Sequence, residues 1–377
     1  MSLIQDLPDT TGIIICGHGS RAKIAEEEFS LLAKGLRARF PKVKVEYGFL
    51  EYSAPNIHMA LDKLLAQGVT KIHAVPGMLF AATHAQNDIP SVLTTYQQKH
   101  AGLDIEYGQE LGLQSGMIEA FQSRILQALK LSEIPATGDL YDTMLVVVGR
   151  GTSVVEANAE AAKLTRIVCE NLGFGWSETV YSGVTFPSVG RGLEMAAKLG
   201  FKKVVVAPYF LFGGKLIDRI YAYVDKVAAE IPDIDFIKAD YLRDQSHVID
   251  TFVSRIEETI EPASKASSEQ GLLANFKQRL ERGEVEVHHH HAEFKAEPTH
   301  SHDHSHTHDD HDHGHSHSHS HGHSHAPYKH IGHPHGPRTM INENVCCCFM
   351  GQFPQHIVDE EQQLKAEQAG TPSCKKN

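Results

Sequence analysis

With 377 residues and 41% hydrophobic content, the chain has enough apolar side chains for two or three globular cores. Its formal net charge of -12 argues against nucleic acid or an anionic membrane surface as a main partner, since both require a cationic face that displaces counterions. The opening MSLIQDLPDTTG lacks the pattern of a secretory signal, and no run approaches the roughly 18 apolar residues of a spanning helix, so a cytoplasmic, membrane-free protein is expected.

Short runs rich in Val and Ile (Ile13 to Cys16, Val43 to Phe49, Lys71 to Val75, Ile105 to Gly108) alternate with helical patterns (Glu26 to Phe40, Ile57 to Gln67, Ile89 to Lys99). This alternation predicts βαβ units around a mainly parallel sheet with helices on both faces. The whole unit then recurs. Gly17 and Gly19 align with Gly149 and Gly151, Pro55 with Pro187, Gly68 with Gly200 and Pro76 with Pro208, always 132 positions apart. The expected architecture is therefore α/β, with two tandem duplicated domains, residues 1–130 and 143–262, joined by a linker over 131–142.

From 263 to 377 the composition changes. A further helix is predicted over Ala274 to Arg282, and 20 of the 27 histidines then fall between His288 and His335, interspersed with Ser, Asp and Gly. Such a segment cannot build a packed core and is expected to be a disordered tail. The six cysteines, Cys16, Cys169, the triplet Cys346, Cys347 and Cys348, and Cys374, do not suggest a disulfide framework.

In an open parallel sheet ligands bind beyond the carboxyl ends of the strands. His18 lies at the end of the first strand between two glycines, which let a bulky ligand approach the backbone. Glu51 follows the next strand and His84 follows the run Lys71 to Val75, each 33 residues after the one before. A His, Glu, His set at one sheet edge suits a borderline divalent ion such as Co²⁺, Ni²⁺ or Fe²⁺. The second copy is an internal control: its equivalents are Arg150, Gly183 and Leu216, so all three candidate ligands are lost while the scaffold pattern persists. Cations there, Arg150, Arg191, Lys215 and Arg219, are candidates for binding substrate carboxylates. G-H-G-S-R lacks the third glycine of a dinucleotide fingerprint and the Gly-Lys-Ser/Thr of a P-loop.

The segments GHGSR (Gly17 to Arg21), EYSAP (Glu51 to Pro55) and PGMLFAATHAQNDIP (Pro76 to Pro90) resemble the class II chelatases, and among them the CbiX family in its long form. Thr83 stands where that pattern has a glycine. The resemblance implies ATP-independent insertion of Co²⁺ into sirohydrochlorin, in cobalamin biosynthesis. It implies that His18, Glu51 and His84 are the metal and catalytic residues, with His18 also taking a pyrrole proton. The substrate-binding set it suggests is Glu51, Leu79, Phe80, Ala81, Ala82, Thr83, Arg150 and Lys215. An imidazole with an ordinary pKa near ~6.5 suits that proton transfer.

Iron or nickel insertion uses similar ligands, and a metal-storing or metallochaperone protein is the alternative of another class. The tail resembles a metal reservoir, because closely spaced neutral imidazoles offer exchangeable sites. Cys346 to Cys348 are a candidate ligand set for an iron–sulfur cluster or another metal, although adjacent cysteines do not readily converge on one ion.

Overall fold

The structure is a computed structural model and describes residues 2–261 and 272–285. The histidine-rich segment and the cysteine triplet lie outside the described residues.

The first repeat contains β1 (Thr11–Gly17), α1 (Lys23–Arg39), β2 (Lys44–Phe49), α2 (Ile57–Ala66), β3 (Lys71–Pro76), α3 (Ile89–Lys99), β4 (Asp104–Tyr107) and α4 (Ser115–Leu129). The second contains β5 (Thr143–Gly149), α5 (Val155–Leu172), β6 (Trp176–Tyr181), α6 (Val189–Lys198), β7 (Lys203–Pro208), α7 (Lys215–Glu230), β8 (Asp235–Lys238) and α8 (Ser246–Ile260), and α9 (Leu272–Glu281) follows. Each repeat forms a four-stranded sheet in which every pairing is parallel, ordered β2-β1-β3-β4 and β6-β5-β7-β8. The predicted parallel α/β fold with flanking helices is the one observed.

The central strands β1 and β5 are buried along their whole length, as expected for strands covered on both faces. Alternation sorts their side chains. Ile13 and Ile15 enter one core, while Ile14 and Cys16 enter another with α2 and α3. Leu145 and Val147 join the first of these cores, which is therefore shared by both sheets, and Met144, Val146 and Val148 pack with α6 and α7 in a third.

The final helix of each repeat serves the other. α8 packs against β3 and α4, and His73 of β3 bonds Thr259 of α8 at 2.9 Å. α4 in turn contacts β7 and β8, and Arg124 donates to the Leu242 carbonyl at 3.0 Å. Glu28 of α1, buried at 8% exposure, accepts from the Tyr241 hydroxyl and the Gly213 backbone N–H, both at 2.7 Å. These bonds fix the two sheets relative to each other, so the space between their carboxyl edges has a defined shape.

Candidate metal and substrate site

Two glycines bring the end of β1 against the loop after β2. A Cβ at Gly19, where φ is 94°, would lie 1.7 Å from the Glu51 carbonyl oxygen, and one at Gly17 would meet Phe29 and Phe49 at 2.9 Å. Backbone bonds from Leu50 to Gly17 (2.8 Å) and from Glu51 to His18 (3.0 Å) close the seam, and Ser53 Oγ bonds both the N–H and the carbonyl of Ser20. The glycines thus permit close approach of chain to chain, and Gly19 also lines the cleft. The consequence is that Glu51 reaches His18, with Oε1 3.3 Å from Nε2.

His84 arrives from β3 on a π-helical turn, His84–Asp88, that runs directly into α3. This turn is fastened along its length. The Ala85 carbonyl accepts from the Tyr107 hydroxyl at 3.1 Å, Gln86 Nε2 donates to the Ala81 carbonyl at 3.2 Å, and Asn87 Oδ1 accepts from Arg279 of α9 at 3.0 Å. The His84 Nε2 lies 3.1 Å from the His18 Nε2. One ligand atom each from His18, Glu51 and His84 lies within 4.8 Å of the others. Two imidazole nitrogens about 2.1 Å from a shared ion, at an angle between a right angle and a tetrahedral one, are about 3.0–3.4 Å apart, which is the separation found.

The triad opens into a cleft of about 530 Å³ between the carboxyl edges of the two sheets. Phe29, Phe49, Met78, Leu79, Phe80 and Ala82 line one side, and Tyr181, Tyr209, Phe210, Leu211 and Phe212 the other. Arg21 and Arg150 bring positive charge, with the Arg21 guanidinium 5.0 Å above the ring of the exposed Tyr52. A largely apolar slot with few convergent polar groups suits a flat, mostly apolar ligand with acidic substituents.

Burial in this cleft pushes the His18 pKa down to about 4; the bond to the Gly19 carbonyl opposes the shift, and His84 and Arg150 reinforce it. This is well below the ordinary value assumed from sequence. His18 is therefore neutral, and able to ligate, throughout the physiological range. Arg150 is exposed to the cleft, yet crowding by both walls lowers its pKa, with the Glu51 carboxylate pulling the other way.

Of the candidate substrate residues, Leu79, Phe80, Ala82 and Arg150 line the cleft, whereas Glu51, Ala81, Thr83 and Lys215 are not among its lining residues. Lys215 is exposed at the first position of α7, and Arg191 pairs with Glu194 at 3.3 Å. Sequence reasoning missed the aromatic wall Tyr209 to Phe212. The 132-residue offset carried the signal, because this segment is the counterpart of Gly77 to Phe80. It also gave Asp88 no role, although Asp88 lies four residues after His84.

The chain matches the profile of the CbiX family over residues 12–128 and 144–259. It is 33% identical over 250 residues to a sirohydrochlorin cobaltochelatase from Priestia megaterium, covering 66% of this chain and 80% of that protein. It is 26% identical over 240 residues to a sirohydrochlorin ferrochelatase from the same organism, covering 64% of this chain and 87% of the relative. Among solved structures it is similar to SirB from Bacillus subtilis with Fe3+, at a TM-score of 0.59 and 25% identity, over 70% of this chain and 99% of that one.

Proposed function

The chain belongs to the CbiX family, and on that premise we propose that it is a sirohydrochlorin chelatase that inserts Co²⁺ into the macrocycle without ATP. The observation that best supports this reading is the convergence of His18, Glu51 and His84 at one end of a cleft with two apolar walls. Arg150, Gly183 and Leu216 at the equivalent positions of the second repeat provide no ligand set, so the chemistry is one-sided. A metal store has no need of a single asymmetric cleft.

In this mechanism the macrocycle lies between the aromatic walls, with its acidic substituents toward Arg21 and Arg150. The incoming ion is a substrate, held by the Nε2 atoms of His18 and His84 and by the Glu51 carboxylate. Insertion displaces two pyrrole protons. As the ion passes to the ring nitrogens, His18 Nε2 becomes free to take one of them, and the other leaves to water at the open side of the cleft. With a pKa near 4 it passes that proton on to solvent and is bare again for the next ion. Closing metal and base onto one atom makes proton removal coincide with metal transfer.

Residues 1–130 act as the metal-carrying unit and 143–262 as the opposing wall. The 20 histidines of 288–335, outside the described residues, hold exchangeable metal for the site, and the protein works in the cytoplasm. Incubating the full chain with sirohydrochlorin and Co²⁺, Fe²⁺ or Ni²⁺, while following the absorbance of the macrocycle, tests the reading. Fastest turnover with Co²⁺ is expected; faster turnover with Fe²⁺ or Ni²⁺ reassigns the metal, and none with any ion overturns the chelatase assignment.

A further inference from the structure

We propose that Asp88 is a positioning residue for metal capture, fixing His84 in the one tautomer and orientation that can bind the incoming ion. This rests on the chelatase reading of the site and assigns a task to a residue that the reading leaves unused.

Asp88 is 7% exposed, and its Oδ2 lies 2.6 Å from the His84 Nδ1. It stands at the N-cap of α3, where an aspartate ordinarily accepts from the first free amides of the helix. Here it makes no capping bond, and its backbone is already helical because the π turn feeds straight into α3. The carboxylate is directed back over the turn to His84 instead.

A carboxylate only accepts, so the proton of neutral His84 must be on Nδ1, and the lone pair is left on Nε2. His18 is arranged alike: its Nδ1 lies 2.9 Å from the Gly19 carbonyl, another pure acceptor. Both Nε2 atoms are therefore bare, and they face each other across 3.1 Å. Two such lone pairs repel unless a cation lies between them, and the fastened turn prevents His84 from swinging away. The site is thus set for a cation by two acceptors, one a backbone carbonyl and one a side chain open to substitution. A buried anion behind the ring also makes the metal-facing nitrogen a stronger donor, the role of such partners in metal sites generally.

Asp88→Asn is the informative variant, because it keeps the volume and removes the charge. Its amide either accepts more weakly or, turned over, donates to Nδ1 and moves the imidazole proton onto Nε2. Initial rates are measured on the full chain with free Co²⁺ clamped by a chelating buffer, so that metal held by the histidine-rich segment does not set the ion level. The expected result is an apparent KM for Co²⁺ raised about 10- to 100-fold, with the KM for sirohydrochlorin and the melting temperature close to those of the parent. Asp88→Glu, which restores the anion, is expected to recover part of the loss. An unchanged KM for Co²⁺ in Asp88→Asn, or a loss confined to kcat and stability, overturns the positioning role. His84→Ala, measured alongside, separates this from failure of the site itself: turnover at the parent rate in that variant overturns the site and the inference together.

Discussion

Arg150 and His18 occupy matching strand ends 132 positions apart and line the same cleft, where burial chiefly holds down the pKa of the imidazole and the guanidinium adds to that shift. Duplication followed by divergence has thus put a cation opposite a histidine of the candidate metal site. An arginine that close repels an ion as well as attracting carboxylates, so its net effect depends on which partner it meets more closely. Its pull from Glu51 and its place on the wall favour attraction of the acidic macrocycle.

Replacing Arg150 with methionine is therefore expected to lower kcat/KM for sirohydrochlorin roughly 10-fold, the scale of one charge-assisted contact. It should also raise the pKa of His18. Activity requires that imidazole neutral and falls as pH drops through its pKa, so the acid limb of the pH–rate profile should move to higher pH. A limb that stays put or moves downward contradicts the electrostatic role assigned to Arg150.

His18→Ala and His84→Ala should each reduce insertion at least about 100-fold, since a two-imidazole grip cannot be made from one ring. Both side chains are about one-third exposed, at 27% and 33%, and neither fills the core, so melting temperatures should stay near that of the parent. Differential scanning fluorimetry beside the rate assay distinguishes a lost ligand from a lost fold. Near-parental rates in either folded variant would remove that histidine from the mechanism.

The fold was legible because buried parallel strands announce themselves as unbroken Val and Ile runs, and because Gly17, Gly19, Pro55 and Pro76 each recur at one offset. The grouping of His18, Glu51 and His84 was legible for a related reason: they follow strand ends, where the topology of a parallel sheet gathers side chains distant in sequence. The exchange of α4 and α8 between repeats was not. It depends on which of two similar apolar faces each helix covers, and Met117 or Phe252 looks the same in either setting. The depressed His18 pKa was equally hidden, because it comes chiefly from burial, with His84 and Arg150 adding to it. Lys215 misled as a charge near a motif, since the first residue of a helix can point its side chain to solvent.

His73 offers a stability prediction independent of catalysis. It is 2% exposed between β3 and α8, and burial pushes its pKa down to about 4, the nearby Lys71 contributing in the same direction. The folded value lies below the unfolded one of about 6.5, so the unfolded chain binds more protons as pH falls between them. Stability from this residue is complete above pH 6.5 and is lost progressively toward pH 4. At pH 5 the loss is about 2 kcal/mol relative to pH 7.5 by linkage. Urea titrations of the parent and of His73→Gln at both pH values should show the variant losing less stability by about that amount. Equal losses would mean that His73 is protonated in the folded protein.

Helix α9 lies beyond the residues matched to the family and yet packs on the first repeat, against α3, β4 and the π turn. Phe276 is 1% exposed and Leu273 packs with Ile89, Val92 and Leu93, while Arg279 holds Asn87 on the turn that carries His84. The sequence reading placed everything after residue 262 in the tail, with one further helix over Ala274 to Arg282. The packing places the dispensable boundary later, after Val285. Truncation there should leave the melting temperature and the KM for buffered Co²⁺ unchanged, and should remove most of the metal bound per chain at pH 7.5, because the 20 clustered histidines of 288–335 go with it. Truncation after Ser267 should instead lower the melting temperature and raise the KM for Co²⁺, since the π turn loses its clamp. Phe276→Ala discriminates further. Emptying a fully buried phenylalanine site costs roughly 3–5 kcal/mol where the surroundings cannot give way, but a ten-residue helix can undock instead. Its effect should therefore be capped at that of the truncation after Ser267, and match it in both readouts. A chain ending at Ser267 with parental melting temperature and parental KM for Co²⁺ would show that α9 does not support the turn.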